Sequence, residues 1–263
     1  MPSLRLIKNI WEKEKYYEMA KEGSLDRKHF GVVLLKKMSR SASSILDLGC
    51  GEGTRLDYLT NKKGVGVDIS QVAINLARSS HPHLKFIKGN LETLPFKDES
   101  FDLVYSAFTL EHLNKPKKVI DEAIRITKPG GNLVFIAPNY GSPNRASPVF
   151  KGSRIRKLVN GFLKDVVGHF RKVERLDWLK VQPQTSSYFQ DSDTCVEPYI
   201  RSLVQYLEGK GVSIKNWSSC WEEELPNPSL LQKLIAGLAK LRIYPFTFWG
   251  PHLVVHVQRN YLK

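Results

Sequence analysis

Between Ile45 and Gly53 the chain reads Ile-Leu-Asp-Leu-Gly-Cys-Gly-Glu-Gly, an apolar run entering three glycines, followed by the helix-like segment Thr54–Leu59. Gly49, Gly51 and Gly53 let a turn close tightly and let a ligand approach the backbone. The helix start behind them offers free N–H groups. Asp47 stands before the turn and Glu52 within it, where both would repel a pyrophosphate. Thr54 also occupies the place of the third glycine in the dinucleotide pattern G-x-G-x-x-G. An acidic turn of this kind suits a cationic or zwitterionic ligand. Cys50, inside it, reads as a small buried filler rather than a nucleophile. Downstream, Val65-Gly-Val-Asp68-Ile-Ser puts a carboxylate at the end of a second apolar run. Such an acid can accept from both hydroxyls of a ribose. It can also cap the following helix, although Ser70 would do that better. After a third run, Asn90 can accept from an adenine amino group through its side-chain oxygen, with Leu91 covering the ring.

These residues need a scaffold that brings successive strand ends to one edge. Ile45–Leu48, Val65–Ile69, Leu84–Ile87, Phe101–Tyr105 and Leu133–Ala137 are short, unalternated apolar runs, as expected of parallel strands buried on both faces. Helical segments separate them, including Gln71–Arg78 and Lys117–Ile126, the latter opened by Pro116 and closed by Lys128-Pro129-Gly130-Gly131. The alternation predicts a doubly wound α/β sheet. Residues 1–44 form a helical N-terminal segment, helix-like from Lys8 to Met38 with one interruption at Gly23-Ser24. The main domain then spans 45–263. Late elements are a helix over Val196–Glu208, a strand at Val212–Trp217, an amphipathic helix over Ser229–Arg242 and a strand at His252–Gln258. Residues 139–195 form an inserted helical cap.

The segments LDLGCGEG at 46–53, GVDIS at 66–70, GNLETLPFKDESFDLVYS at 89–106, LEHL at 110–113 and KPGGNLVFIAPN at 128–139 resemble the class I S-adenosylmethionine-dependent methyltransferases, in particular those acting on small molecules, quinones and lipids. The resemblance is strong over 45–140. It implies a Rossmann-like, doubly wound seven-stranded sheet, mostly parallel with an antiparallel last strand, and S-adenosyl-L-methionine as cofactor. By position, Asp47, Gly49 and Gly51 would shape the pocket for the methionine part, with Cys50 and Gly53 in the same turn. Asp68 would hold the ribose, Ile69 and Leu91 would sandwich the adenine, Asn90 would contact its amino group, and Ser106 would lie near the sulfonium. The family commonly has an acid where Asn90 stands. Methyl transfer draws much of its rate from holding the reactants together. A hydroxyl acceptor gains further from a general base, and His112, just beyond the fourth strand, is the best placed. His112 reads equally as a histidine opening a helix after Thr109.

The formal charge of +14 is unevenly spread: +5 over 1–44, +1 over 45–140, +7 over 141–181 and +1 over 182–263. Half the excess therefore lies in residues 141–181, within the cap. There Ile155, Leu158, Val159, Phe162, Leu163, Val166, Val167 and Phe170 follow three-four spacing among Arg154, Arg156, Lys157, Lys164, Arg171 and Lys172. One reading packs the apolar face on the sheet and leaves the charges solvated. A second turns Arg154, Arg156 and Lys157 inward to hold phosphate or carboxylate on the acceptor. A third rests them on an anionic membrane, with the leucines of 229–242 as a second contact or as core. His169, Asp191, Asp193 and Glu197 are further substrate-side candidates; the acids equally suit capping of a helix starting near Thr194.

The expectation is methyl transfer to a small-molecule, lipid or glycan-precursor acceptor, anionic and methylated on oxygen. The alternatives are an RNA-directed methyltransferase, suggested by the net charge, and a cofactor-binding protein without catalysis. Against nucleic acid, Tyr105-Ser-Ala-Phe-Thr lacks an Asn/Asp-Pro-Pro-aromatic sequence, and no Pro-Cys dipeptide occurs. No apolar run reaches the roughly 18–20 residues that span a bilayer, and the first residues lack a signal-peptide core. Three cysteines, Cys50, Cys195 and Cys220, match no zinc or disulfide spacing. A soluble, cytoplasmic, reduced protein without a metal is expected.

Overall fold

The computed structural model describes residues 10–24, 26–60, 63–170, 176–184, 189–221 and 228–261, with the side chains of 20–24 and 167–170 outside the description. Five strands run parallel: β1 (Ile45–Leu48), β2 (Gly64–Asp68), β3 (Lys85–Lys88), β4 (Phe101–Ala107) and β5 (Thr127–Pro138). With β8 (Val212–Ser218) and β9 (His252–Arg259) they form a seven-stranded sheet of order β3-β2-β1-β4-β5-β9-β8. The final strand, β9, is antiparallel to both neighbours. The seven-stranded, mostly parallel sheet and its antiparallel last strand are therefore as the sequence led us to expect. The chain winds outward from β1 in one direction and from β4 in the other, so a crevice opens above the carboxyl ends of these two central strands.

Alternate residues of each strand serve opposite faces, so the apolar runs build two cores. Ile45, Leu103, Tyr105 and Val134 meet Leu35 of α2 (Phe30–Ser39), Leu56 of α3 (Thr54–Leu59) and Ile74 of α4 (Gln71–Ser80). Leu46, Leu48, Val104 and Phe135 meet Ile120 of α5 (Pro116–Ile126) and Leu203 of α7 (Ile200–Glu208). Ser70 accepts from the Ala73 N–H at 3.1 Å and so caps α4, while Pro116 sits in the first turn of α5.

Three boundaries differ from the sequence reading. The N-terminal segment contains α1 (Glu14–Ser24), which runs through Gly23-Ser24, and breaks before His29 caps α2 by accepting from the Gly31 N–H at 3.1 Å. The Lys128–Gly131 stretch is already part of β5. Helix α7 starts at Ile200 rather than Val196, because Val196–Glu197 is strand β7, paired antiparallel with β6 (Leu179–Lys180). Asp191 and Asp193 consequently cap no helix.

The inserted region carries α6 (Arg154–Phe170), and its packing overturns the reading in which the apolar face lies on the sheet. Lys157, Gly161 and Asp165, spaced four apart, form the inward stripe. Ile155, Leu158, Val159, Phe162, Leu163 and Val166 are exposed. The cause is polar anchoring. Lys157 pairs with buried Glu197 and donates to the Tyr140 carbonyl at 2.6 Å. Asp165 accepts from Tyr199 Oη at 2.5 Å and Trp249 Nε1 at 3.1 Å.

Candidate functional site

The glycine turn lies at the β1/β4 crevice. Gly49, Gly51 and Gly53 have φ of +82°, +53° and +87°, the left-handed region that penalises a side chain. A Cβ on Gly49 would also stand 2.3 Å from Thr109 Cγ2, so the turn and the segment after β4 touch there. Cys50 is buried, and its sulfur lies close under Gly66, consistent with a filler; burial drives its thiol well above the ordinary range.

Asp47 is fully buried. Tyr105 Oη donates to its Oδ2 at 2.7 Å, and Oδ1 has no partner. Burial pushes its carboxyl up to about 7, against the pull of Arg55 and the Tyr105 hydroxyl. Asp68 accepts from the Gly51 N–H at 3.0 Å and the Ser70 N–H at 2.9 Å, which ties β2 to the turn. Burial raises its pKa against these two donors. Ile69 is half-buried and Leu91 is buried, while Asn90 is exposed and accepts from the Glu92 N–H at 3.0 Å. Ser106 is fully buried, and its hydroxyl has no partner.

His112 ends a short 3-10 turn, Leu110–His112, three residues beyond Thr109. Its Nδ1 lies 3.3 Å from Asp193 Oδ2 without the alignment of a hydrogen bond, and its Nε2 lies 3.8 Å from Glu111 Oε1. Both carboxylates are buried, and each keeps one unpartnered oxygen. Burial lowers the His112 pKa, but Asp193, Glu111 and Asp191 outweigh it and hold the imidazole above its ordinary value. Burial pushes Glu111 up to about 7, with His112 opposing. Phe108 and Asp191, at φ +57° and +59°, place backbone strain on both sides of this cluster.

The N-terminal segment roofs both sites. Trp11 Nε1 donates to Asp193 Oδ2 at 2.7 Å and Tyr16 Oη donates to the same oxygen at 3.1 Å. The Trp11 carbonyl accepts from Ser70 Oγ at 2.7 Å, and the Glu12 carboxylate accepts from the Gln71 and Val72 N–H groups at 3.0 and 3.1 Å. The Tyr17 ring lies over Gly51.

The structure thus brings Asp47, Gly49, Cys50, Gly51, Gly53, Asp68 and Ser70 together, and joins His112 to Asp193 with Asp191 nearby. Arg154 and Arg156 are exposed on α6, and Lys157 is paired with buried Glu197. The side chain of His169 lies outside the described residues. Sequence reasoning missed Glu111, Trp11, Tyr16 and Tyr17. Only Glu111 had a signal, since it lies inside the quoted LEHL segment.

A zwitterionic, adenosine-bearing cofactor fits this crevice. The buried Asp47 oxygen that has no hydrogen-bond partner suits an ammonium group, and the three glycines leave room at the backbone. Residues 46–135 match the family described as Methyltransferase domain. The chain is 27% identical over 205 residues to a malonyl-[acyl-carrier protein] O-methyltransferase from Pectobacterium atrosepticum, covering 77% of this chain and 74% of that one. It is 37% identical over 102 residues to a demethylmenaquinone methyltransferase from Renibacterium salmoninarum, covering 37% of this chain and 43% of the other. In fold it is similar to the methyltransferase solved in complex with the Trm112 methyltransferase activator of Haloferax volcanii, at TM-score 0.57 and 18% identity, covering 94% of this chain and 97% of that one. With the glycine turn, the strand-end acids and the strand order in agreement, residues 46–135 match a methyltransferase family and the chain resembles the S-adenosylmethionine-dependent methyltransferases.

Proposed function

We propose that the chain methylates a hydroxyl oxygen on a small-molecule or lipid-linked acceptor, with His112 as general base. The observation that carries this reading is the buried His112–Glu111–Asp193 cluster, with three unpartnered polar atoms, joined to the glycine turn through Thr109 and Gly49. Buried polar atoms without partners are rare in folded proteins, and a bound acceptor would supply partners to these. Asp193, at 3.3 Å from Nδ1, favours the proton there and leaves Nε2 as the acceptor nitrogen. When bound, S-adenosylmethionine supplies a methyl carbon whose bond to sulfur breaks as the acceptor oxygen bonds to it. His112 takes the hydroxyl proton, and Glu111 and Asp193 stabilise the imidazolium that results. Trp11 and Tyr16 cover the cluster and exclude water.

The cluster also argues against an anionic reacting group. Glu111, Asp191 and Asp193 surround one imidazole, so a carboxylate acceptor would be repelled where a neutral hydroxyl would be bound. The relative named as a malonyl-[acyl-carrier protein] O-methyltransferase supports oxygen as the methylated atom, and since malonyl carries a carboxylate rather than a hydroxyl, that support stops at oxygen.

The test is transfer of labelled methyl from S-adenosylmethionine into fractions of a cell extract. Label is expected in a lipid or small-molecule fraction, with a rate that rises with pH through a midpoint above the ordinary imidazole value of 6.5. His112→Gln should lower the rate by roughly 10²–10⁴-fold. Its cofactor affinity, by calorimetry, should stay unchanged, whereas Asp68→Ala should weaken it by about tenfold or more. Undiminished turnover in His112→Gln would remove the base, and label in RNA would overturn the acceptor.

A further inference from the structure

Helix α6 is amphipathic the wrong way round for a core element. Its polar Lys157 and Asp165 are anchored inside, while Ile155 is 77% exposed and Val159, Phe162 and Val166 share its outward face. Isolated exposed apolar residues are ordinary on protein surfaces; a helix stripe of them is not. A second helix, α8 (Leu230–Lys240), does the same. Leu230 is 85% exposed, Leu231, Leu234 and Leu241 are exposed as well, and Ala236 alone of the helix is buried. The two surfaces are continuous. The Phe162 ring lies 6.0 Å from that of Tyr244, which follows exposed Leu241 and Ile243 directly after α8.

Charge decides what covers them. Residues 151–164 contain no acid, the acid that follows is buried Asp165, and residues 228–243 contain none. Exposed Lys151, Arg154, Arg156, Lys233 and Arg242 therefore flank the apolar stripes without a carboxylate on either segment, while Lys164 pairs with Asp177 at 3.4 Å. A second copy of this chain would bring the same cations face to face. Apolar side chains bordered mainly by cations complement a lipid surface of negative charge, where tails receive the former and headgroups the latter. No helix of the described residues is long and apolar enough to cross a membrane.

We propose that α6 and α8 form a face that docks the protein peripherally on an anionic lipid bilayer. Docking depends on neither His112 nor the acceptor, so it stands or falls apart from the function proposed above.

The experiment is flotation of the full chain with vesicles of phosphatidylcholine alone or with about 30 mol% phosphatidylglycerol added. The wild type is expected to float with the anionic vesicles and to be released by salt. Arg154→Gln combined with Arg156→Gln and Lys233→Gln should cut binding by roughly tenfold or more. Ile155→Ser with Val159→Ser should weaken it too, and unchanged cofactor affinity in both variants shows an intact fold. Absence of binding to anionic vesicles overturns the proposal. So does self-association of the wild type, by light scattering, that the same substitutions abolish.

Discussion

Helices α5 and α6 are both amphipathic, yet they turn opposite ways. In α5, Val119, Ile120, Ala123 and Ile126 are fully buried on the sheet, and Lys117, Lys118 and Asp121 lie outside. In α6 the apolar stripe faces out, and the inward stripe is Lys157, Gly161 and Asp165. The sheet offers α5 an apolar surface, so burial of hydrocarbon sets its orientation. The segments beneath α6 offer Glu197, Tyr199, Tyr244 and Trp249, so buried ion pairs and hydrogen bonds set that one. Hydrophobic periodicity reports that a helix has two faces. Which face turns inward depends on what the rest of the chain places beneath it.

The sharpest way to break this contrast is a matched pair of truncations. Ile120→Ala on α5 should destabilise the protein by about 2–5 kcal/mol in urea unfolding, through lost burial and a residual cavity. Leu163→Ala on α6 should change stability by less than about 0.5 kcal/mol. Equal losses at the two sites would show that the outward face of α6 is covered. Next in size is Asp165→Ala, which leaves the Tyr199 hydroxyl and the Trp249 indole without their acceptor. A loss of about 1–3 kcal/mol is expected, with faster proteolysis of the cap, whereas unchanged stability would show that α6 is held by other contacts.

The smallest effect distinguishes the cofactor side from the cap. Asp47 and Glu111 hold protons up to about 7 in the folded chain, against ordinary values of 3.8 and 4.5. His112 is raised as well, so its contribution is present below 6.5 and fades as pH rises through its folded value. In all three cases the folded state binds more protons than the unfolded state. The cofactor-free chain should therefore lose stability as pH rises from about 5 to about 8. Asp102, Asp121 and Glu122, with lowered values, act in the other direction only at lower pH, and His256, lowered by burial, opposes part of the slope around 6.5. Thermal unfolding across this range checks the slope, which Asp47→Asn should flatten and saturating cofactor should reduce. A slope unchanged by Asp47→Asn would mean that this carboxyl is not held protonated.

The cofactor crevice was legible because its parts are local. Gly49, Asp68 and Leu91 each lie at a strand end, and alternating strands with helices is enough to bring such ends to one edge. The cluster proposed to react was only half legible. His112 shows itself by its place after β4, but Trp11 and Asp193 stand 182 residues apart and meet only in the folded chain. The Lys157–Glu197 pair that fixes α6 also joins distant segments, and periodicity gives it no trace.

The +14 charge and its concentration in the cap belong to the sequence alone, as do the glycine turn, the strand-end acids and the alternation that forces a doubly wound sheet, because each depends on residue type and short spacing. Tertiary structure decided the rest. It enclosed His112 with Glu111 and Asp193, raised the proton affinity of Glu111 by burial and that of His112 through its carboxylate neighbours, and set Arg154 and Arg156 outside while Lys157 was neutralised within. Burial and charge pairing arise between segments that only folding brings into contact, so residue spacing along the chain does not encode them.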